Sequence, residues 1–379
     1  MYLGSARITI HLENFRHNLH LLQERHPNLM PVIKADAYGH GIVQVARVLR
    51  EEGIDHMTVG SVGEGVLLRQ EGHTAFLLAL LGLVREDDVD LAVQYGITPL
   101  VHNRESIDKL VSRGHNLKQT QPMDVAIKFD TGMSRVGFEP EHASELAEFL
   151  RTLPQIRPVL MLSHLAGADD PSLDSVTREQ ARRFQLAADA MRAVFPDIRT
   201  SLANTPGLLA WPQFAGDFAR PGVSLYGANP LYGTSREKLG EGFLPVMEMT
   251  APVLSVHSLY KGRTVSYGCL FTAPKDMKVA VVGVGYADGY PRALSSKGEV
   301  VIRGRRAPVL GRVCMQMCIV DVTGIPDAAP GDTASLLGGN GPNAVHPQEM
   351  ANWWGTIPYE VFCALGRSMC VTEKNYVNS

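Results

Sequence analysis

Lys34 follows a short apolar run, Val32-Ile33, and precedes a loop of small residues that contains Tyr38 and His40. The apolar run predicts a buried strand, and the loop lies at its carboxyl end. A lysine at a buried strand end is costly unless it is paired or used chemically. Two interpretations stay open from this segment alone. The ammonium group reaches water past the strand end, or desolvation lowers the pKa of the amine until it reacts with a carbonyl cofactor.

Later segments also place polar side chains where a predicted strand ends. Taken alone, a histidine there is typical of a packed, hydrogen-bonded side chain, an Asn-Thr-Pro sequence of a turn, and an arginine of a surface charge. In a parallel barrel, however, all strands end at one rim, and that rim carries the functional side chains. We therefore expect these groups to meet in one site, which comprises Lys128 to Arg135, Ser163-His164, Asn204-Thr205 and Arg220 to Val223.

The last two of these segments have the composition of a phosphate site. Barrels commonly hold a phosphate in the loops after strands seven and eight, where backbone N–H groups and hydroxyls bind its oxygens. Asn204-Thr205 and Gly222-Val223 stand at those positions. A lysine on strand one would then face the other end of the same ligand. A phosphorylated carbonyl compound bound by a lysine is a description of pyridoxal 5′-phosphate.

The predicted elements that hold these residues form repeated βα units, in which short apolar runs alternate with helical patterns. Eight such units in about 200 residues are typical of an α/β fold, the (β/α)8 barrel of the TIM type. An open doubly wound sheet is the alternative, but no Gly-x-Gly-x-x-Gly turn follows the first strand. The predicted strands are 32–34, 57–60, 76–81, 98–101, 125–129, 159–163, 201–204 and an eighth between 217 and 226, with helices that include 12–25, 42–52, 62–71, 105–113, 143–153 and 178–195.

The pattern changes near residue 235, where helical periodicity gives way to β-rich segments separated by Gly and Pro. These segments predict a second, mostly β C-terminal domain. A chain of 379 residues also favours two domains. We expect a barrel domain at 9–237 and a β domain at 238–379, with residues 1–8 either outside both or joined to the β domain.

Composition excludes several classes of function. The chain has 36 Lys+Arg against 39 Asp+Glu and no basic block, so we expect no binding to nucleic acid or a membrane surface.

The first residues lack the charged and apolar regions of a signal peptide, and no apolar run is long enough to span a bilayer. An odd count of 5 cysteines then predicts reduced thiols and a cytoplasmic protein. Cys314 and Cys318 lack a second ligand pair, so we expect no metal site.

Taken together, these motifs resemble the alanine racemases, a family of barrel enzymes that use pyridoxal 5′-phosphate. The resemblance covers nearly the whole chain, and the lysine segment is its most specific part. The matching segments are 32–41 (VIKADAYGHG), 130–137 (DTGMSRVG), 220–227 (RPGVSLYG), 265–268 (VSYG), 285–292 (GYADGYPR) and 311–315 (GRVCM).

The resemblance implies interconversion of L-alanine and D-alanine, with the D-alanine used for cell-wall peptidoglycan. It also implies a homodimer with shared active sites. Lys34 would bind the cofactor covalently and act as one catalytic base, while Tyr267 of the partner subunit would act as the second. Arg220 is similar to the arginine that faces the pyridine nitrogen, and His164 to the histidine that supports this arginine.

Further roles carry over position by position. The phosphate site would comprise Tyr38, Asn204, Thr205, Gly222, Val223 and Tyr359, the substrate carboxylate would be held by Arg135 and the backbone of Met315, and the access channel to the site would be lined by Tyr286, Arg292 and Arg312. Thr205 stands where the family usually has serine, which preserves the hydroxyl. Lys128 stands where many members have a carbamylated lysine.

One departure from the family pattern is Gln316, where the family usually has aspartate after the methionine. An amide replaces the hydrogen bonds of a carboxylate but not its charge. We expect this change to affect rate and substrate preference more than reaction class.

Racemisation needs a base on each face of the α-carbon, and a lysine and a tyrosine from different subunits would supply them. Lysine has a reference pKa near 10, so desolvation or nearby cations must lower the pKa of Lys34. An arginine opposite the pyridine nitrogen discourages its protonation, which favours return of the proton to the α-carbon over transamination.

Three alternatives remain open at this point. A barrel decarboxylase with the same cofactor normally places a carboxylate against the pyridine nitrogen, where this chain offers Arg220. A non-enzymatic cofactor-binding barrel protein typically lacks a β domain with an equivalent of Tyr267. A racemase of broader specificity would act on serine, lysine or arginine.

Overall fold

The structure is a computed structural model that describes residues 5–116, 121–339, 341–367 and 374–378. Cys370, one of the predicted reduced thiols, lies outside the described residues. The helices are α1 Leu12–Gln23, α2 Lys34–Gly39, α3 Ile42–Glu51, α4 Val62–Gln70, α5 Asp88–Tyr95, α6 Arg104–Asn116, α7 Ala143–Arg151, α8 Asp174–Val194, α9 Thr205–Ala210, α10 Pro347–Trp354 and α11 Pro358–Gly366. The strands are β1 Arg7–His11, β2 His56–Val59, β3 Phe76–Ala79, β4 Thr98–Val101, β5 Met123–Lys128, β6 Ile156–Leu162, β7 Arg199–Ser201, β8 Met247–Leu259, β9 Thr264–Val265, β10 Phe271–Thr272, β11 Met277–Val282, β12 Glu299–Ile302, β13 Arg305–Leu310, β14 Cys318–Asp321, β15 Thr333–Leu337 and β16 Lys374–Val377.

A closed parallel barrel forms the first half of the chain. Strands β2 to β7 pair in chain order, each parallel to the next. Two extended segments, 28–33 and 218–221, close the ring. Val32 bridges Thr58 of β2, Leu29 bridges Ala219, and the Arg220 N–H donates to Ala203 O at 2.9 Å just beyond β7. This arrangement confirms the predicted (β/α)8 barrel.

The barrel differs from its prediction where the chain turns into the site. The first predicted strand, 32–34, is an extended segment with isolated bridges, and Lys34 begins α2 rather than ending a strand. The seventh strand ends at Ser201, earlier than the predicted 201–204, because Asn204 already caps helix α9 through its side chain. The eighth predicted strand lies at 218–221, with its register set by Leu29 against Ala219.

The barrel interior is filled by apolar side chains drawn from most of its strands. Met30, Leu78, Leu100, Ala126, Leu160, Leu162 and Phe218 form a buried cluster separate from the main core. Leu100 and Leu162 of this cluster also line the cavity described below. The packed interior therefore supports the rim from beneath, as in other barrels of this type.

The second half of the chain forms a closed antiparallel ring of strands β11, β14, β13, β12, β15 and β8. The long strand β8 also pairs with β1 from the chain's beginning, and β1 pairs with β16 from its end. This ring confirms the mostly β second domain. The boundary between residues 237 and 238 stays a prediction.

Two helices that the sequence reading did not predict, α10 and α11, interrupt the β domain. Each has a proline at its start, Pro347 and Pro358, a position where the missing N–H costs nothing. Helix α11 packs so closely on α2 that only glycine fits at position 366. A β-carbon on Gly366 would lie 2.1 Å from Gly39 O. The β domain thereby contacts the lysine-bearing turn of the barrel. Within the described part of the chain, no helix is long and apolar enough to cross a membrane.

Candidate active site

A cavity of about 530 Å³ opens at the carboxyl ends of the barrel strands. This volume lies within the usual range for sites that bind small molecules or cofactors. Its lining includes most of the predicted barrel residues, together with side chains that sequence reasoning did not select, such as Leu81 and His102. The lining comprises Val32, Lys34, Tyr38, Leu80, Leu81, Leu100, His102, Lys128, Arg135, Val136, Leu162, Ser163, His164, Asn204, Thr205, Arg220, Gly222 and Tyr359.

Lys34 stands at the start of a left-handed turn. Ala35, Asp36, Ala37 and Tyr38 all have positive φ, at 56°, 57°, 52° and 54°. Left-handed backbone is unfavourable for residues other than glycine, so consecutive positions of this kind need support from their surroundings. The Asp36 carboxylate accepts the N–H of Ile42 at 2.8 Å, and Glu64 accepts the Asp36 N–H at 3.3 Å. The turn brings Lys34 and Tyr38 into the same cavity.

Burial lowers the pKa of Lys34, and the positive charge of Arg135 lowers it further. Cys363 and Glu64 act in the opposite direction with smaller effect. The net direction agrees with the requirement that the amine be available as a nucleophile or base. A lysine that snorkels into water would keep its ordinary pKa, so the structure favours the chemical interpretation.

A second group of residues forms a cradle around Gly222. The Gly222 N–H donates to the Thr205 hydroxyl at 2.8 Å, and the Asn204 side chain accepts the N–H of Gly207 at 3.0 Å. A β-carbon on Gly222 would lie only 2.7 Å from the Tyr38 hydroxyl, so glycine leaves this space open. Val223 is buried and begins the next turn.

Tyr38 is held in place by two other tyrosines. Its ring centroid lies 4.8 Å from that of Tyr226 and 5.8 Å from that of Tyr359, which comes from α11 of the β domain. The Tyr226 hydroxyl donates to Val32 O at 3.1 Å. Burial raises the pKa of both Tyr38 and Tyr359, so both phenols stay neutral and able to donate hydrogen bonds.

Arg220 is buried, and its hydrogen-bond acceptors among the described residues are neutral. Nη1 donates to Ser201 O at 2.8 Å and to Ser201 Oγ at 2.5 Å, while Nη2 donates to Ser163 O at 2.5 Å. The Ser201 hydroxyl in turn donates to Phe218 O at 2.7 Å. Burial lowers the pKa of Arg220 to about 10, with a further contribution from Arg135, and the group remains charged at neutral pH.

The support of Arg220 by His164 stays a prediction, and the hydrogen bonds of Arg220 run to other residues. Within the described residues, the guanidinium bonds run to Ser163, Ser201 and Leu202, and none runs to His164. The backbone N–H of Arg220 donates to Ala203 O, and the side chain therefore lies across the ends of β6 and β7. Ser201 is therefore a hydrogen-bond partner of Arg220 that sequence reasoning missed.

His164 contacts Asn204 instead, with 3.3 Å between its Nε2 and the Asn204 Nδ2. Its carbonyl accepts a hydrogen bond from the Gln180 side chain at 3.0 Å. Burial, followed by the charge of Arg220, lowers the pKa of His164 well below its ordinary value. The imidazole is consequently neutral within the cavity.

Lys128 is the second buried lysine of the site. Its Nζ donates to Phe129 O at 2.7 Å and lies 3.4 Å from Ser163 Oγ. Burial lowers its pKa to about 7, and the charge of Arg220 adds to this effect. A substantial fraction of Lys128 amines is thus uncharged near neutral pH.

Arg135 is exposed and lines the cavity from a loop organised by Asp130. One carboxylate oxygen of Asp130 accepts the N–H groups of Gly132, Met133 and Ser134, and the other accepts that of Arg135. Desolvation opposes ionisation of Asp130, but these N–H donors outweigh it and lower its pKa. The loop backbone is fixed, while the arginine head remains available to a ligand.

Apart from Tyr359, the predicted residues of the β domain do not line the cavity of their own chain. Tyr267 is 73 % exposed, Met315 57 % and Tyr286 45 %. Their loops adjoin one another, because the N–H of Tyr286 donates to Cys314 O at 3.1 Å. Arg292 is exposed and Arg312 partly buried. The structure thus separates these residues from Lys34 within one chain.

The residues of the cavity fit pyridoxal 5′-phosphate. Lys34 supplies an amine of lowered pKa, and the space kept open by Gly222 is surrounded by the hydroxyls of Tyr38 and Thr205. Arg220 supplies a fixed cation without a carboxylate partner among the described residues. In the described ranges, no group of three or more His, Cys, Asp or Glu is arranged to hold a metal ion.

Comparisons with known proteins agree with this geometry. The family models "Alanine racemase, N-terminal domain" and "Alanine racemase, C-terminal domain" match residues 10–230 and 246–372. An alanine racemase from Lawsonia intracellularis is 54% identical over the full length of both chains.

Solved structures agree as well. The biosynthetic alanine racemase of Pseudomonas aeruginosa is 30% identical, with a TM-score of 0.87 and full coverage of both chains. The alanine racemase of Bartonella henselae, solved with covalently bound pyridoxal phosphate, is 26% identical with a TM-score of 0.85, over 99% of this chain and 100% of its own. These matches confirm the resemblance: this chain belongs to the alanine racemase family.

Proposed function

We propose that this protein interconverts L-alanine and D-alanine with pyridoxal 5′-phosphate bound at Lys34. The observation that carries the proposal is one cavity that contains both a lysine of lowered pKa and a hydroxyl-lined cradle at Gly222. Membership of the family supports the same substrate.

The cofactor, when bound, would acidify the α-proton of the amino acid attached to it. The Lys34 amine would hold or move a proton on one face of the α-carbon, and the Tyr267 phenol of a partner subunit would do so on the other. Arg220 would face the pyridine nitrogen, where a permanently charged donor discourages protonation. Tyr38, Asn204, Thr205, Gly222, Val223 and Tyr359 would hold the phosphate, and neutral His164 would lie beside Asn204.

Substrate binding would involve residues of both subunits. Arg135 and the Met315 backbone would hold the substrate carboxylate, while Tyr286, Arg292 and Arg312 would line the access channel. The proposal of a homodimer is supported by the separation of Tyr267 and Met315 from the cavity of their own chain. An isologous arrangement would place each β domain over the partner's barrel.

We place the barrel domain at 9–237 and the β domain at 238–379, and the pairing of Arg7 and Ile8 with β8 supports joining residues before position 9 to the β domain. We place the protein in the cytoplasm, supplying D-alanine for peptidoglycan. The free thiols of Cys269, Cys314, Cys318 and Cys363 support a reducing compartment.

The test is chiral analysis of a panel of L-amino acids after incubation with the purified protein and pyridoxal 5′-phosphate. We expect D-alanine to form fastest, with serine, lysine and arginine much slower. Lys34→Ala should lose activity together with the visible absorbance of the bound cofactor. Tyr267→Phe should keep the cofactor and lose rate, whereas full activity of Tyr267→Phe in both directions would end the two-base assignment.

A further inference from the structure

The turn that carries Tyr267 has an unusual backbone. Ser266 has φ 60° and ψ −173°, Gly268 has φ 72°, and Cys269 has φ 49°. The conformation of Ser266 is one that essentially only glycine adopts without strain. A serine persists there only if its surroundings hold it in this conformation.

Two hydrogen bonds join Ser266 and Tyr267 to Arg312 in opposite directions. The Ser266 hydroxyl donates to Arg312 O at 2.8 Å, and the Arg312 Nε donates to Tyr267 O at 3.1 Å. Cys314 Sγ lies 3.3 Å from the same serine hydroxyl. Each segment thus uses one side chain to bind the other's backbone, and the two bonds fix the chain on both sides of the Tyr267 Cα.

The two segments also approach each other closely. A β-carbon on Gly311 would lie 2.7 Å from Val265 O, and one on Gly268 would lie 3.2 Å from Arg312 Nε. Gly311 itself has φ 68°. Glycine on both segments therefore permits the approach that the reciprocal hydrogen bonds require.

We propose that Ser266 and Arg312 form a clamp that positions Tyr267 for proton transfer, an inference that rests on the proposed racemase function. Tyr267 is 73 % exposed, so the backbone beneath it largely sets the direction of its side chain. Ser266 and Arg312 are positioning residues here, because they act through Tyr267. A base that must meet the α-carbon at a fixed angle loses rate steeply when displaced.

The experiment compares Ser266→Ala and Ser266→Gly with Ser335→Ala in the cofactor-loaded enzyme. Ser335 is a matched control, because its hydroxyl also bonds a backbone carbonyl, Gly338 O at 3.4 Å, in the same domain but away from Tyr267. We measure kcat for both enantiomers and the α-deuterium isotope effect for each. A second readout is the fluorine NMR signal of fluorotyrosine at position 267, which does not depend on activity.

We expect Ser266→Ala to lower kcat by about tenfold to a hundredfold. The isotope effect should rise only for the enantiomer whose proton Tyr267 removes, since only that transfer has been misaligned. Ser266→Gly should be equally slow although it relaxes the backbone, and the fluorine signal should shift toward that of a mobile tyrosine in both variants. Ser335→Ala should match the wild type in every readout.

Three results would overturn the clamp. They are wild-type kcat in Ser266→Gly, an isotope effect that rises equally for both enantiomers, and a fluorine signal unchanged in Ser266→Ala. A wild-type protein that racemises nothing would instead overturn the proposed function, and the fluorine signal would still decide whether the clamp orders Tyr267.

Discussion

Arg220 is a buried cation whose hydrogen-bond partners among the described residues carry no charge. A buried guanidinium usually has a carboxylate partner, because burying an isolated charge is costly. Here its described acceptors are backbone carbonyls and the Ser201 hydroxyl, which satisfy the N–H groups without offsetting the charge. The positive charge of Arg220 also contributes to the lowered pKa of His164 and of Lys128.

Ser201→Ala tests the assignment of Ser201 as the support of Arg220. The change removes one acceptor from a buried charged group, so we expect the free energy of unfolding to fall by about 1–3 kcal/mol. Ser201→Thr, which keeps the hydroxyl, should lose less. Urea unfolding of the cofactor-loaded protein measures both, and wild-type stability in Ser201→Ala would contradict the assignment.

Lys128 predicts a pH dependence of stability. Its pKa falls from about 10.5 in the unfolded chain to about 7 in the folded protein, so the unfolded chain binds more protons between these values. The penalty for burying Lys128 is therefore complete below pH 7 and disappears as the pH rises toward 10. Lys128→Met should be more stable than the wild type at pH 7, and this advantage should shrink by up to about 1.4 kcal/mol per pH unit. Urea unfolding between pH 7 and 9.5 measures the difference, and an advantage independent of pH would refute the shift.

At the scale of elements, the site is built where regular structure stops. Strand β7 ends at Ser201, Asn204 caps α9, and Gly222 lies between the last barrel segment and the turn Val223–Tyr226. These ends meet α2, which is in turn packed against α11 of the β domain. The cradle at Gly222 is therefore a product of several short elements rather than of one loop.

Gly222→Ala tests that cradle. The added methyl group would lie 2.7 Å from the Tyr38 hydroxyl, so the two must move apart and the proposed phosphate site must distort. We expect the affinity for pyridoxal 5′-phosphate to fall about tenfold or more. Gly324→Ala is the matched control, because nothing lies within 4 Å of its added carbon.

The same titration in a Tyr38→Phe background separates this contact from a general defect. Removing the phenolic oxygen should make the second change less costly, with a coupling free energy of about 0.5–3 kcal/mol. Strictly additive losses in the double variant would show that Gly222 and Tyr38 do not share the cradle.

The barrel and most of its rim could be predicted from the sequence, because buried parallel strands give apolar runs whose ends are easily recognised. The left-handed turn after Lys34 could not, since Ala35, Asp36 and Ala37 carry no signature for positive φ. The hydrogen-bond partners of side chains on different strand ends of the rim could not be predicted either. Which strand end faces Arg220 depends on the register that Leu29 and Ala219 set, so the hydrogen bond from Arg220 to Ser201 could not be predicted.

At the scale of the whole molecule, the β domain presents an exposed apolar surface. Leu270, Met315 and Met317 are 55 %, 57 % and 49 % exposed, and they belong to the same neighbouring loops as Tyr267 and Tyr286. Exposed apolar groups that cluster are typical of a protein interface. This surface supports the proposed dimer, in which the partner's cavity would receive Tyr267.

Mixed dimers test whether the active site is shared. Lys34→Ala keeps Tyr267, and Tyr267→Phe keeps Lys34, so a dimer with one chain of each contains one complete site and one doubly altered site if the residues come from different subunits. Random reassembly of equal amounts should then recover about a quarter of wild-type activity, because half of the dimers are mixed and each has one of two sites intact. Differently tagged chains, dissociated, mixed and purified as the mixed dimer, should reach about half. If both residues served the same chain, no dimer would contain a complete site, and mixing would recover no activity beyond that of the separate variants.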